Sequence, residues 1–140
     1  MGVRVRLKLK STRESVETAA LVNSGFESNE PEIVIPPPLA EILGLTPSSQ
    51  LSSYTVAGGG SITAIRATHS LKVKLILEDR ETEEIDAVAS ILPGEDEAII
   101  SDRLAYELRL VILDPFNGLW CLRDEIGKKI RHSSKPEYWR

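Results

Sequence analysis

The chain has 140 residues and a formal net charge of −4, a length that suits one domain around a single core and is too short for a two-lobed architecture. One cysteine and two histidines exclude an intrachain disulfide and a metal cluster of recognisable spacing, so neither metal nor cofactor is expected. No apolar run reaches the length of a membrane span, and the basic, alternating start is unlike a secretory leader, so the expectation is a cytoplasmic protein without membrane contact.

Apolar residues make up 41% of the chain but aromatics only 5%, which points to a core of Val, Ile and Leu and to sheet wherever these alternate with polar residues. Val3, Val5, Leu7 and Leu9 alternate with Arg4, Arg6, Lys8 and Lys10. That period of two predicts a strand with one apolar and one cationic face. Ser11-Thr12-Arg13-Glu14 turns the chain, and residues 16–22 supply a second strand, hairpin-paired with the first, that delivers Asn23 at its end. Residues 23–30 are polar and read as a loop. Glu27, Glu30 and the following Glu32 read as a solvated acidic stretch.

Ile33-Val34-Ile35 is a short buried strand. Pro36-Pro37-Pro38 then suits the first turn of a helix on which Leu39, Ile42 and Leu43 share a face, and Gly44 stops it. Residues 46–50 read as loop. Residues 51–57 and 61–68 form two β-rich arms around Gly58-Gly59-Gly60, and Tyr54 fills a strand face on the first arm. Leu71, Val73, Leu75 and Leu77 mark another strand, followed by one over 82–92. After the turn Pro93-Gly94-Glu95-Asp96, Ala98-Ile99-Ile100 is a buried strand. Ser101 is the N-cap of a short helix over 102–108. Residues 110–113 and 119–122 pair around a turn marked by Asn117-Gly118, with Phe116 and Trp120 expected in the core or at a contact between chains. Residues 1–125 form the domain and 126–140 a basic C-terminal tail, either disordered or docked by Tyr138 and Trp139.

Several of these parts, in this order, resemble the retropepsin-like aspartic proteases, particularly small prokaryotic members of that fold. They are the strand into Asn23-Ser24-Gly25, the Pro36 to Leu45 segment, the glycine-tipped hairpin at 55–62, and Ala98-Ile99-Ile100-Ser101 with the helix and strand that follow it. The resemblance covers residues 14 to 123. It implies a mainly β fold: a closed β-barrel with a flap hairpin and one or two short helices, completed as a homodimer. It also implies that Asn23, Ser24 and Gly25 occupy the catalytic loop and that Ala57, Gly58, Gly59 and Gly60 are the substrate-binding tip of the flap. Ser101 stands where the family usually has glycine.

In that family two aspartates meet across a twofold axis, share one proton, and activate a water against a peptide carbonyl. Asn23 replaces that acid. An amide cannot take up the water's proton, and losing a general base typically costs on the order of 10²–10⁴ in rate, so the chain is expected to be inactive as written. Two facing amides can instead hydrogen-bond reciprocally and stabilise the dimer. Seen without its context, the triplet is a plain Asx turn.

Two other functions remain open. One is a non-catalytic dimer that holds an extended peptide or protein segment in the same groove. The other is a polyanion-binding dimer using Arg4, Arg6, Lys8, Lys10, Lys128, Lys129 and Arg131, since residues 1–13 carry five basic groups and no acid. The acidic middle of the chain and the lack of a nucleic-acid motif make nucleic acid the least favoured partner.

Overall fold

A computed structural model describes residues 2–140. Its strands are β1 (Val3–Lys10), β2 (Ser15–Val22), β3 (Glu32–Ile35), β4 (Pro47–Thr55), β5 (Ser61–Ala67), β6 (Leu71–Leu75), β7 (Glu84–Ile91), β8 (Ala98–Ile100), β9 (Leu110–Asp114), β10 (Leu119–Leu122) and β11 (Arg131–His132). The helices are α1 (Pro37–Leu43) and α2 (Asp102–Glu107), with a 3-10 turn at Arg123–Glu125. The fold is mainly β, around a closed six-stranded barrel.

The alternation in β1 sets the inside of that barrel. Val3, Val5, Leu7 and Leu9 are all within 2% of full burial, and each such side chain contributes about 1.5–3 kcal/mol relative to exposure. β1 pairs antiparallel with β2 on one side, from Val3 opposite Val22 to Lys10 opposite Ser15, and with β6 on the other. The ring continues through β8 and β3 on one hand and through β7 on the other. It closes where β3 runs parallel to β7, Ile33 opposite Ala89 and Ile35 opposite Ile91.

β2 and β3 are consecutive in the chain but not neighbours in the sheet, because β8 lies between them, parallel to β2 and antiparallel to β3. The 23–31 segment therefore crosses the end of β8. This places Asn23 beside Ile100, whose carbonyl accepts the Asn23 N–H at 3.3 Å.

α1 buries Leu39, Ala40 and Leu43. Its C-terminus ends on Gly44 at φ 67°, a left-handed backbone that favours glycine, and a Cβ there would also push aside the Arg13 side chain 2.9 Å away. The Ser11 hydroxyl donates to the Leu43 carbonyl at 2.7 Å, tying the β1–β2 turn to the helix end.

Residues 47–50, expected as loop, belong to β4, which pairs with β5 from Pro47 opposite Ala67 to Thr55 opposite Ser61. The register shifts between Pro47 and Leu51. A proline at the first residue of an edge strand loses no ladder bond, which reconciles it with sheet.

β9, β10 and β11 form a second, three-stranded sheet. Trp120 is buried there and its indole N–H donates to the His132 carbonyl at 3.2 Å, whereas Phe116 at the turn is 70% exposed, contrary to a core assignment. Glu125 is buried beneath this sheet. Its carboxylate accepts from Arg131 Nε at 2.9 Å and Nη2 at 2.7 Å, from Arg80 Nη1 at 3.1 Å and from the Leu122 N–H at 2.9 Å. Arg131, then the Leu122 N–H and Arg80, hold that carboxyl down at about 2 against the opposing effect of burial.

Residues 133–140 lie against the barrel. The Ser134 N–H donates to the Arg4 carbonyl at 2.8 Å, Arg6 Nη1 donates to Glu137 Oε1 at 2.7 Å, and Trp139 Nε1 donates to the buried Thr18 hydroxyl at 2.9 Å. Trp139 docks the tail, while Tyr138 is 48% exposed and lies under the Arg140 guanidinium.

Candidate functional site

The Asn23-Ser24-Gly25 segment is exposed at the end of β2. Its conformation is an Asx turn: the Asn23 Oδ1 accepts the Gly25 N–H at 3.0 Å, and the Asn23 carbonyl accepts the Phe26 N–H at 3.0 Å. A Cβ at position 25 would sit 3.3 Å from that same Oδ1. Glycine therefore leaves the amide room to fold back on the backbone.

Phe26, immediately after the turn, is buried in a small cluster with Val34, Ala64 and Leu92, flanked by Tyr54 and Ile99. Its ring meets Tyr54 edge-on, with centroids 5.1 Å apart and planes at 78°, a favoured aromatic geometry. The loop is also fastened to α2. The Asp102 N–H donates to the Phe26 carbonyl at 2.9 Å, and Asp102 Oδ1 accepts the Ser28 N–H at 3.0 Å.

Glu32 departs from expectation. It is buried at 5% exposure, not solvated. Tyr54 and Ser90 both donate hydroxyls to its Oε2, Ser90 at 2.7 Å, and Ser28 donates to Oε1 at 3.0 Å. Burial, and then the Glu32 carboxylate, push the Tyr54 phenol up to about 12. Ser101, in the position where glycine was anticipated, has a use for its side chain. Its Oγ accepts the Leu104 N–H as N-cap of α2 and the Glu32 N–H, each at 3.1 Å.

The hairpin of β4 and β5 carries Ala57, Gly58, Gly59 and Gly60 at its exposed tip. The tip closes on itself: the Val56 N–H donates to the Gly60 carbonyl at 2.9 Å and the Gly59 N–H to the Val56 carbonyl at 3.2 Å. Gly58 and Gly59 have φ of 93° and 86°, with nothing within 4 Å of a hypothetical Cβ. The link between this hairpin and the Asn23 loop is made lower down, by Tyr54 with Phe26 and Glu32. Beside that link lies an open groove of about 440 Å³, lined by residues that include Glu27, Ser28, Glu30, Ser52, Tyr54 and Arg66. Arg66 pairs with Glu30 at 2.9 Å across it.

Chemically, the exposed group at the strand end is a neutral amide, which donates and accepts hydrogen bonds but does not exchange a proton near neutral pH. The nearby Glu32 carboxylate is committed to three hydroxyls. Among the described residues no group of three His, Cys, Asp or Glu side chains is placed to hold a metal ion, and no helix is long and apolar enough to cross a membrane. The sequence reading missed the Glu32 centre. Its signal was a charged residue heading a strand whose next three residues are all aliphatic.

No protein-family model matches the chain, and no curated protein matches it.

Proposed function

We propose that the chain is a homodimeric, retropepsin-like homologue of the aspartic peptidases, inactive as written because Asn23 stands in the position of the catalytic acid. One observation carries this reading. The Asn-Ser-Gly turn is held at the exposed end of β2, beside a β8 strand inserted between β2 and β3, with a glycine-tipped hairpin fastened to the same loop by the Tyr54–Phe26 ring contact. A half-site of this form gains a role when a second copy completes it across a twofold axis. In that arrangement the β4–β5 hairpin is the flap.

The test is peptide turnover by the wild-type chain and by Asn23→Asp. The wild type should leave a diverse peptide library intact between mildly acidic and neutral pH, for want of a general base. Asn23→Asp should cleave it, with an acidic optimum and with suppression by pepstatin-like transition-state mimics. Cleavage by both forms at comparable rates would show that position 23 is not the catalytic position.

A second reading, a non-catalytic dimer that holds an extended segment, is favoured by the open groove and by β4, which ends its sheet and leaves one edge for strand addition. Wild-type binding of library peptides with no turnover by Asn23→Asp would select it. A polyanion-binding role draws less support, because Arg4, Arg6, Lys129 and Arg131 are paired with Glu97, Glu137 and Asp79.

A further inference from the structure

A carboxylate taken out of water is costly unless hydrogen bonds or opposite charge compensate it. Glu32 has no ion pair among the described residues. Its compensation consists of hydroxyls drawn from separate parts of the chain: Ser28 from the loop that follows Asn23, Tyr54 from the first arm of the β4–β5 hairpin, and Ser90 from β7. Its backbone completes the arrangement by bonding in both directions with Ser101 at the head of α2. Ser90 belongs to the barrel wall and is fully buried. The other two hydroxyls sit on half-exposed segments that border the groove.

We infer that Glu32 is a positioning residue that locks the β4–β5 hairpin and the Asn23 loop into one conformational unit, so that lifting the hairpin releases the loop. Tyr54 and Ser28 compete for nothing: they occupy different oxygens of one carboxylate. Withdrawing Tyr54 leaves Oε2 with Ser90 alone and removes the edge-on ring from Phe26, which is itself part of the loop. The two segments therefore share both a polar and an aromatic contact, and a chain segment entering the groove by displacing the hairpin alters the setting of Asn23. An apolar residue at position 32 would fill the same space without making this joint. The coupling is a property of the free chain and does not depend on the groove accepting a peptide.

Hydrogen exchange read by mass spectrometry on the full chain tests it. Tyr54→Phe keeps the ring and deletes only the hydroxyl, so it should accelerate exchange in residues 55–61 and in residues 23–30 together, on the order of ten- to a hundredfold for a lost bond to a charged group, while β1 exchanges as in the wild type. Ser90→Ala lies on β7, outside both segments; the Ser90 hydroxyl meets the Tyr54 hydroxyl as well as the same carboxylate oxygen, and its loss should produce a smaller acceleration in the same two places. Acceleration in the hairpin alone would overturn the coupling. So would a uniform acceleration that includes β1, which would reduce Glu32 to a contributor to overall stability. Both outcomes are independent of whether Asn23→Asp cuts a peptide.

Discussion

Glu32 and Ser101 bond to each other twice, the Glu32 N–H donating to Ser101 Oγ at 3.1 Å and the Ser101 N–H donating to the Glu32 carbonyl at 3.0 Å. One serine thus caps α2, satisfies a buried strand N–H and joins the start of β3 to the end of β8. Ser101→Ala removes the first two at once. A lost N-cap costs about 1 kcal/mol and an orphaned buried N–H about 1–3 kcal/mol, so urea unfolding should show a loss of roughly 2–4 kcal/mol by the same two rules. Ser101→Gly should fall nearly as far, because glycine tolerates the cap position but leaves the Glu32 N–H unpaired.

At position 23 the proposed dimer makes a statement about affinity as well as catalysis. Asn23→Asp replaces two neutral groups at the axis with two ionisable ones, and a unit-charge pair about 4 Å apart represents roughly 4 kcal/mol at an effective dielectric near 20, before relaxation and screening reduce it. Dimer dissociation constants measured by ultracentrifugation should rise for Asn23→Asp at neutral pH and approach the wild-type value in acid, where the pair shares a proton. Equal and pH-independent constants would mean that position 23 does not face its mate.

The tail is held by Trp139, whose removal should be read at the barrel as well as at the terminus. Trp139→Ala deprives the Thr18 hydroxyl of its indole donor and leaves the tail segment held there by the residue 139 N–H to the Asp96 carbonyl, without the ring. Because the ring is only partly buried, the loss should lie below the 3–5 kcal/mol of a fully buried aromatic, at about 1–3 kcal/mol. Limited digestion with a glutamate-specific protease should then cut after Glu137 in the variant well before it cuts the wild type.

Glu125 gives the fold an acid limb. Its carboxyl is held down at about 2 from an ordinary 4.5, so its contribution is fully present above about 4.5 and is lost as the pH falls towards 2. Denaturant midpoints should therefore drop between pH 5 and pH 2 in the wild type. In Glu125→Gln the same drop should be shallower, on a lower plateau at neutral pH, because Arg131 and Arg80 lose a buried partner. An unchanged slope would remove Glu125 from the acid response.

The features legible in the sequence are those decided by local chemistry. The alternation of Val3 to Leu9, the proline entry and glycine exit of α1, the Ser101 cap and the Asn117-Gly118 turn each depend on residues within a few positions, and each appears where the pattern puts it. The candidate loop was legible for the same reason, since a strand ending in Asn-Ser-Gly places an Asx turn at its tip. Glu32 was not. Its burial is decided by hydroxyls at positions 28, 54 and 90, and the only local sign that sets it apart from the exposed Glu27 and Glu30 is its place at the head of Ile33-Val34-Ile35. The two-residue strand β11 was hidden likewise, because its partner is the first half of β10 and its anchor is Glu125 across an ion pair. Residues 47–50 were hidden by composition: proline and serine signal loop unless an edge strand accepts them.

The insertion of β8 between β2 and β3 also fixes when the barrel can close during synthesis. β1, β2 and β3 emerge early, but Ala98 to Ile100 must arrive before Val22 and Ile33 gain the neighbour that joins them. A nascent chain released before residue 98 has a wall with a slot in it, and the aliphatic edges of that slot face solvent. Contacts between residues so distant in sequence make for slow folding. Until Ala98–Ile100 are in place the half-formed barrel keeps an open, adhesive edge, and that single three-residue strand is the piece that seals it.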